Sequence, residues 1–162
     1  MVKRPKGDNG AWLSQHELAA WKGLQRMHAR LAGALASDLK ARSDLSLPDY
    51  QVLAVLSDAA SGRLRAYLLA DELGWEKSRL SRHLARMEQR RLVERQPCAT
   101  DHRGVEVALS PAGRAAIEQA APGHVAAVRR CFVDPLSAAQ LAMLAEISST
   151  VLTRLEGGPP AR

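Results

Sequence analysis

Residues 66–95 read AYLLADELGWEKSRLSRHLARMEQRRLVER. Two helical stretches meet at Gly74, and the spacing around that glycine decides the fold. With Ala66 as the first place, the fifth is Ala70, small enough for two helices to touch. The ninth is Gly74, where the turn needs a left-handed residue. Leu69, Leu73 and Leu80 put apolar side chains at the fourth, eighth and fifteenth places. These five matches predict a helix-turn-helix, with a third helix over about Arg65–Leu73 and a fourth over about Glu76–Arg90. A chance helical hairpin is the bland alternative. The fourth helix has Leu80, Leu84 and Met87 as its buried stripe.

Lys77, Ser78, Arg79, Ser81, Arg82, His83 and Arg86 fall largely outside that stripe. Between Lys77 and Arg95 there are seven Lys or Arg against only Glu88 and Glu94, so the net charge of +6 is concentrated in mid-chain. A solvated basic face is one reading. Nucleic-acid contact is the other, because a major groove about 12 Å wide admits a helix whose long cationic and hydroxylic side chains reach bases and phosphates. Leu92–Arg95 and Val105–Leu109 differ in kind: Val105, Val107 and Leu109 alternate with Glu106 and Ala108, the period of a half-buried strand. Pro97 to Gly104 lies between them as a loop, so the unit is a β-hairpin whose tip carries Asp101-His102-Arg103-Gly104. A helix followed at once by such a hairpin is a winged helix. Arg103 then suits the minor groove, where negative potential is focused. Asp101, two residues earlier, would hold its guanidinium, and Gly104 gives the tip backbone freedom.

Outward from this centre the chain is helical. Ser14 and Glu17 form a capping box, and Leu18, Trp21, Leu24, His28, Leu31, Leu35 and Leu39 recur at helical steps over nearly 28 residues. Ser46-Leu47-Pro48-Asp49 caps a short second helix bearing Tyr50, Leu53, Ala54 and Leu56. Ser110-Pro111 opens a fifth helix with Ile117, Val125, Val128 and Phe132, and Pro122 is expected to kink or break it near Ala121. Ser137 and Gln140 cap a sixth with Leu141, Leu144, Ile147, Val151 and Leu155. These terminal stripes are too long for a monomeric core of this size to cover.

The stretches "LSLPDYQVLAVL" at 45–56, "LADELGWEKSRLSRHLARMEQRRLVER" at 69–95 and "TDHRGVEVALSPAGR" at 100–114 resemble the MarR family of bacterial transcription regulators. The resemblance extends over about Leu18–Leu155. It implies a homodimer with interlocking terminal helices, a DNA-binding winged helix in each subunit, and often a small-molecule pocket between the two regions. One position departs from the family pattern: Arg91 stands where Gly usually precedes the first wing strand, at a cost of about 1 kcal/mol if the backbone there is left-handed.

The expected fold class is mainly α with a small β-hairpin wing, in a single domain over 1–162. The winged helix-turn-helix spans 47–109, flanked by a helical dimerisation region at 14–44 and 111–156. The expected DNA-binding residues are Lys77, Ser78, Arg79, Ser81, Arg82, His83, Arg86, Asp101 and Arg103. Trp21, His28 and Tyr50 are candidates to line a pocket for a small aromatic or phenolic ligand, although aromatic residues at helical spacing are more often core or interface. His124, beside Pro122, reads as a packing residue.

The composition narrows the remaining classes. Hydrophobic residues are 46% and charged residues 25%, an ordinary globular balance that excludes a disordered chain. No apolar run exceeds the five residues of Val52–Leu56, Ala66–Ala70 and Leu141–Ala145, against roughly 20 for a membrane span. The basic start MVKRPKGDNG is followed by no apolar segment, so the expectation is a cytoplasmic, nucleoid-associated protein. The two cysteines, Cys98 and Cys131, suggest no disulfide scaffold. Cys98, Asp101 and His102 lack a good further ligand for a metal, and no cofactor is expected. His16-Glu17 would open a zinc-protease motif, but Ala20 stands where its second His belongs. Nucleophile elbows and phosphate-binding loops are likewise missing, so no enzymatic activity is expected. The leading expectation is a homodimeric repressor of a pseudo-palindromic operator, released by a small ligand. The alternative is a ligand-binding dimeric sensor without specific DNA binding.

Overall fold

The computed structural model describes residues 12–98 and 101–157; the side chains at 98 and 101–103 are not among those described. The order of elements is α1 (Gln15–Arg42), α2 (Leu47–Asp58), β1 (Arg63–Arg65), α3 (Ala66–Glu72), α4 (Lys77–Gln89), β2 (Val93–Cys98), β3 (Asp101–Leu109), α5 (Pro111–Val128), a π-helical turn (Arg129–Val133) and α6 (Ala138–Glu156). Helices α1, α2 and α6 open with complete capping boxes, Ser14 with Glu17, Ser46 with Asp49 and Ser137 with Gln140. The core joins Val52, Leu53 and Leu56 of α2, Leu69 and Ala70 of α3, and Leu80, Leu84 and Met87 of α4 to Val93 and Val107 of the sheet. Leu39 closes it from α1 and Ile117 from α5. The expected stripe of α4 is therefore buried as read.

The sheet has three antiparallel strands in the order β1-β3-β2, where a two-stranded hairpin was expected. Leu64 of β1 and Arg95 of β2 both face Val107 of β3. Three residues of β1 are too few for a periodic signal, and only the distant β3 makes them a strand. Both wing strands also run further toward the tip than the alternating pattern reached. Of the kink or break expected in α5 near Ala121, the break does not occur: the helix runs through Pro122. Pro122 and Glu118 both face solvent, so the Glu118 carbonyl that loses its helical partner can be hydrated. The irregularity appears later, as the π turn closed by the Asp134 N–H on the Arg129 carbonyl at 2.8 Å.

The turns before and after α4 are built alike. Gly74 has φ 60°, its N–H donates to the Asp71 carbonyl, and the Trp75 N–H donates to the Ala70 carbonyl, the Schellman arrangement. After α4, Arg91 takes φ 58°, its N–H donates to Glu88, and the Leu92 N–H donates to Met87. Arg91 does therefore occupy a left-handed position that favours glycine. Its carbonyl accepts the Ser110 hydroxyl at 2.6 Å, which joins the end of α4 to the start of α5. Gly113 packs so closely there that a Cβ would collide with the Leu92 carbonyl.

The termini contrast with this packed centre. Every described residue from 12 to 30 is exposed, and α6 buries no residue. Among the described residues no single helix is long and apolar enough to cross a membrane.

Two substitutions should move stability in opposite directions in urea titrations. Arg91→Gly removes a left-handed side chain and should stabilise by about 0.5–1 kcal/mol, the strain relieved being partly offset by the freer unfolded chain. Gly113→Ala should destabilise by about 2 kcal/mol or more, because backbone must move to admit the methyl. An unchanged midpoint for either variant would contradict the corresponding geometry.

Candidate nucleic-acid interface

Helix α4 presents Lys77, Ser78, Arg79, Ser81 and Arg82 to solvent, all exposed. Its first turn lacks the capping box that opens α1, α2 and α6. Glu76 is the N-cap but makes no side-chain cap bond, and the first turn holds no acid. Lys77 and Arg79 instead place cations at the positive end of the helix dipole, where they are disfavoured by a few tenths of a kcal/mol or more. The turn leaves backbone N–H groups uncapped beside cationic side chains, an arrangement suited to phosphate. Arg82 is steadied by an Nε–H bond to the Ser78 carbonyl at 3.3 Å. The Arg79 guanidinium lies over the Trp75 ring, 4.2 Å from its centroid.

His83 departs from the expectation that it lies outside the buried stripe. Three residues after Leu80 and four before Met87, it shares their face, and it is only 8% exposed. Its Nδ1 lies 3.0 Å from Arg86 Nη2. A guanidinium only donates, so Nδ1 accepts and the proton of the neutral ring sits on Nε2. That atom faces Asp49 Oδ1 at 3.0 Å, out of line for a good hydrogen bond. Asp49, in the first turn of α2, is 3% exposed. Its Oδ2 accepts the Ser46 N–H at 2.9 Å and Arg90 Nη1 at 2.7 Å. Arg90 also donates to the Asp44 carbonyl at 2.6 Å. Burial pushes the Asp49 carboxyl up, but the Ser46 N–H, Arg90 and the Ser46 hydroxyl more than offset this and hold it below the ordinary aspartate value. Burial lowers His83, with Arg86 and Arg79 in the same direction and Asp49 opposing. Burial likewise lowers His124, whose ring packs on Tyr50 with centroids 4.1 Å apart, with Asp38 opposing.

The wing is tied to α4 by Arg95 of β2, whose Nε donates to Glu88 at 2.8 Å. Asp101 and Arg103 fall on β3, but their side chains lie outside the described residues. A cavity of about 320 Å³ lies between α3, α4 and the wing, walled by Leu80, Leu84 and Val105 and rimmed by Lys77 and Ser81. A larger one, about 730 Å³, lies where the end of α1 and the start of α2 approach Arg86 and Arg90.

Trp21 and His28 are exposed on α1, whereas Tyr50 is half-buried on α2. None of the three lines the described cavities. Sequence reasoning treated Asp49 only as a cap and passed over Arg90 and Trp75. A signal for His83 existed, since Leu80, His83, Leu84 and Met87 keep a three-four spacing. Nothing local marks Asp49 as its partner, 34 residues away in the chain.

Residues 43–104 match the MarR family model. The chain is 35% identical to AbsC, a MarR family transcriptional regulator from Streptomyces coelicolor, over 91% of this chain and 99% of that one, with a TM-score of 0.84. It is 32% identical to Sco3205, a MarR family transcriptional regulator from the same organism whose structure is in complex with DNA, over 92% and 96% of the two chains, with a TM-score of 0.85. A mutant MarR from E. coli complexed with operator DNA shares the fold at 24% identity, over 88% and 99% of the chains, with a TM-score of 0.76. No curated protein matches the chain. With this identity over nearly its full length, the chain belongs to the MarR family of transcriptional regulators.

Buried His83 and half-buried His124 set the response to acid. A folded-state pKa below the ordinary 6.5 means that the unfolded chain binds more protons, so stability is full above about pH 6.5 and falls as the pH drops through the folded values. Asp49 adds its own loss at lower pH, below its ordinary 3.8. Urea midpoints should therefore decline from pH 6.5 to 5, and His83→Gln should make that decline shallower. Equal slopes for both proteins would remove His83 from this account.

Proposed function

We propose that this chain is a homodimeric repressor that binds a pseudo-palindromic operator, each subunit laying α4 in a major groove with its wing along the neighbouring minor groove. The open cationic face of α4 carries this reading. Lys77, Ser78, Arg79, Ser81 and Arg82 are assigned to bases and phosphates, Arg86 to the flank, and Asp101 and Arg103 to the wing. His83 is assigned to holding α4 rather than to DNA. The relative Sco3205, solved in complex with DNA, supports the assignment.

The dimer is proposed to form through 14–44 and 111–156, apart from the winged helix-turn-helix at 47–109. Trp21, Leu24 and Met27 of α1 and Met143, Ile147, Val151 and Leu152 of α6 are exposed in the single chain. About half of each such side chain is already covered, so burying the rest contributes on the order of 1 kcal/mol apiece, and the seven together favour a partner copy. Release by a small anionic or aromatic ligand is the further part of the proposal. The cavity beside Lys40, Arg86 and Arg90, next to the Asp49 cluster, supports it, since an anion there would compete for the cations that hold α4 to α2. Trp21, His28 and Tyr50 remain the aromatic candidates.

Sedimentation of the wild type should show a dimer at micromolar concentration, and Ile147→Asp should shift it toward monomer. A folded wild-type monomer would end the dimer reading. Footprinting on the DNA upstream of the chain's own gene should show two half-sites about 10 bp apart, as two symmetric recognition helices on one face of the duplex require. Affinity should fall steeply with salt, as Lys and Arg release counterions from phosphates. A flat salt response would exclude α4 as the contact surface.

A further inference from the structure

We propose that Trp75 is a specificity-determining positioning residue, which holds Arg79 against the unfavourable end of the α4 dipole and presents its donors to a base edge. The proposal rests on the reading of α4 as the DNA-contacting helix. Arg79 is the third residue of α4, the place where α1, α2 and α6 carry Glu17, Asp49 and Gln140 bonded back to their caps. An arginine there has no cap to bond and meets the positive end of the helix. Among the described residues Arg79 makes no ion pair and no hydrogen bond, so its one partner is the Trp75 ring, 4.2 Å away. The ring lies against the guanidinium, whose N–H donors make no hydrogen bond among the described residues, so they are available for the bidentate contact that guanine offers.

Trp75 is itself fixed. Its N–H closes the Schellman turn on Ala70 at 2.8 Å, and its ring packs against the core. His83 meets it edge-on, with centroids 5.3 Å apart and planes at 88°. His83 in turn sits against Asp49 of α2. The platform under Arg79 is thus referred to the core rather than to the exposed turn. An unsupported arginine on that turn would sample many rotamers and lose them on binding.

The test is a double-mutant cycle read by fluorescence anisotropy on two labelled duplexes: one selected by the wild type from a random-sequence pool, and a scrambled duplex of the same composition. Arg79→Ala should lose affinity for the selected duplex. Trp75→Leu should lose about five-fold on that duplex and little on the scrambled one, the size expected for one cation–π contact. Trp75→Phe, which keeps an aromatic face and the packing, should lose less. In the Arg79→Ala background neither Trp75 substitution should cost anything more. Trp75 losses that persist in that background, or that are equal on both duplexes, would overturn the proposal. If Trp75→Leu fails to fold, the Trp75→Phe pair of measurements decides in the same way. Wild-type binding by Arg79→Ala would instead overturn the assignment of Arg79 to DNA, and the role of Trp75 with it.

Discussion

The buried carboxylate of Asp49 is the contact on which the placement of the recognition helix depends. One side chain does two jobs. It completes the capping box of α2 through the Ser46 N–H, and it receives Arg90 and faces His83 from α4. Taking a carboxylate out of water costs several kcal/mol, and it is tolerable only where donors replace the lost hydration. Here a backbone N–H and a guanidinium do so on one oxygen. The result is a polar clamp between two helices whose remaining contact is apolar and non-directional. Leucine packing brings α4 against α2, and the clamp sets its rotation.

Rotation matters because α4 is amphipathic in a strict sense. Leu80, His83, Leu84 and Met87 face the core, while Lys77, Ser78, Arg79, Ser81 and Arg82 face out. The helix is also bounded at both ends by left-handed residues, Gly74 and Arg91. The same arrangement that supplies stability in α1, α2 and α6, an N-cap with a polar third residue bonded back to it, is absent from α4. Departures from local preference tend to collect at functional sites, where other contacts compensate. The exposed first turn of α4 is such a departure, and the Trp75 ring lies within reach of its Arg79.

The terminal helices follow a different logic. A capped helix of 28 residues with its first half wholly exposed does not hold itself straight by burial within one chain. Capping and periodicity specify that α1 and α6 are helices, yet the first half of α1 and the apolar residues Met143, Ile147, Val151 and Leu152 of α6 stay exposed in the single chain. This is the physical basis for assigning them to a second copy.

The sequence alone determined the helices, their caps, the turn at Gly74 and the apolar stripe of α4. Each of these is a local property, legible because helical periodicity, capping and turn chemistry act within a few residues. The family resemblance was legible on the same stretches. Tertiary structure decided what depends on distant partners. Arg63–Arg65 became a strand only because β3 lies beside it, and Pro122 stayed within α5 on the exposed side of the helix. The burial of His83 follows from its helical spacing, but only the fold shows Asp49 of another helix beside it, and only the turn sets the Trp75 ring beneath Arg79. Non-local pairing leaves no periodic trace in the chain, so the polar geometry that orients the recognition helix emerged only from the folded structure.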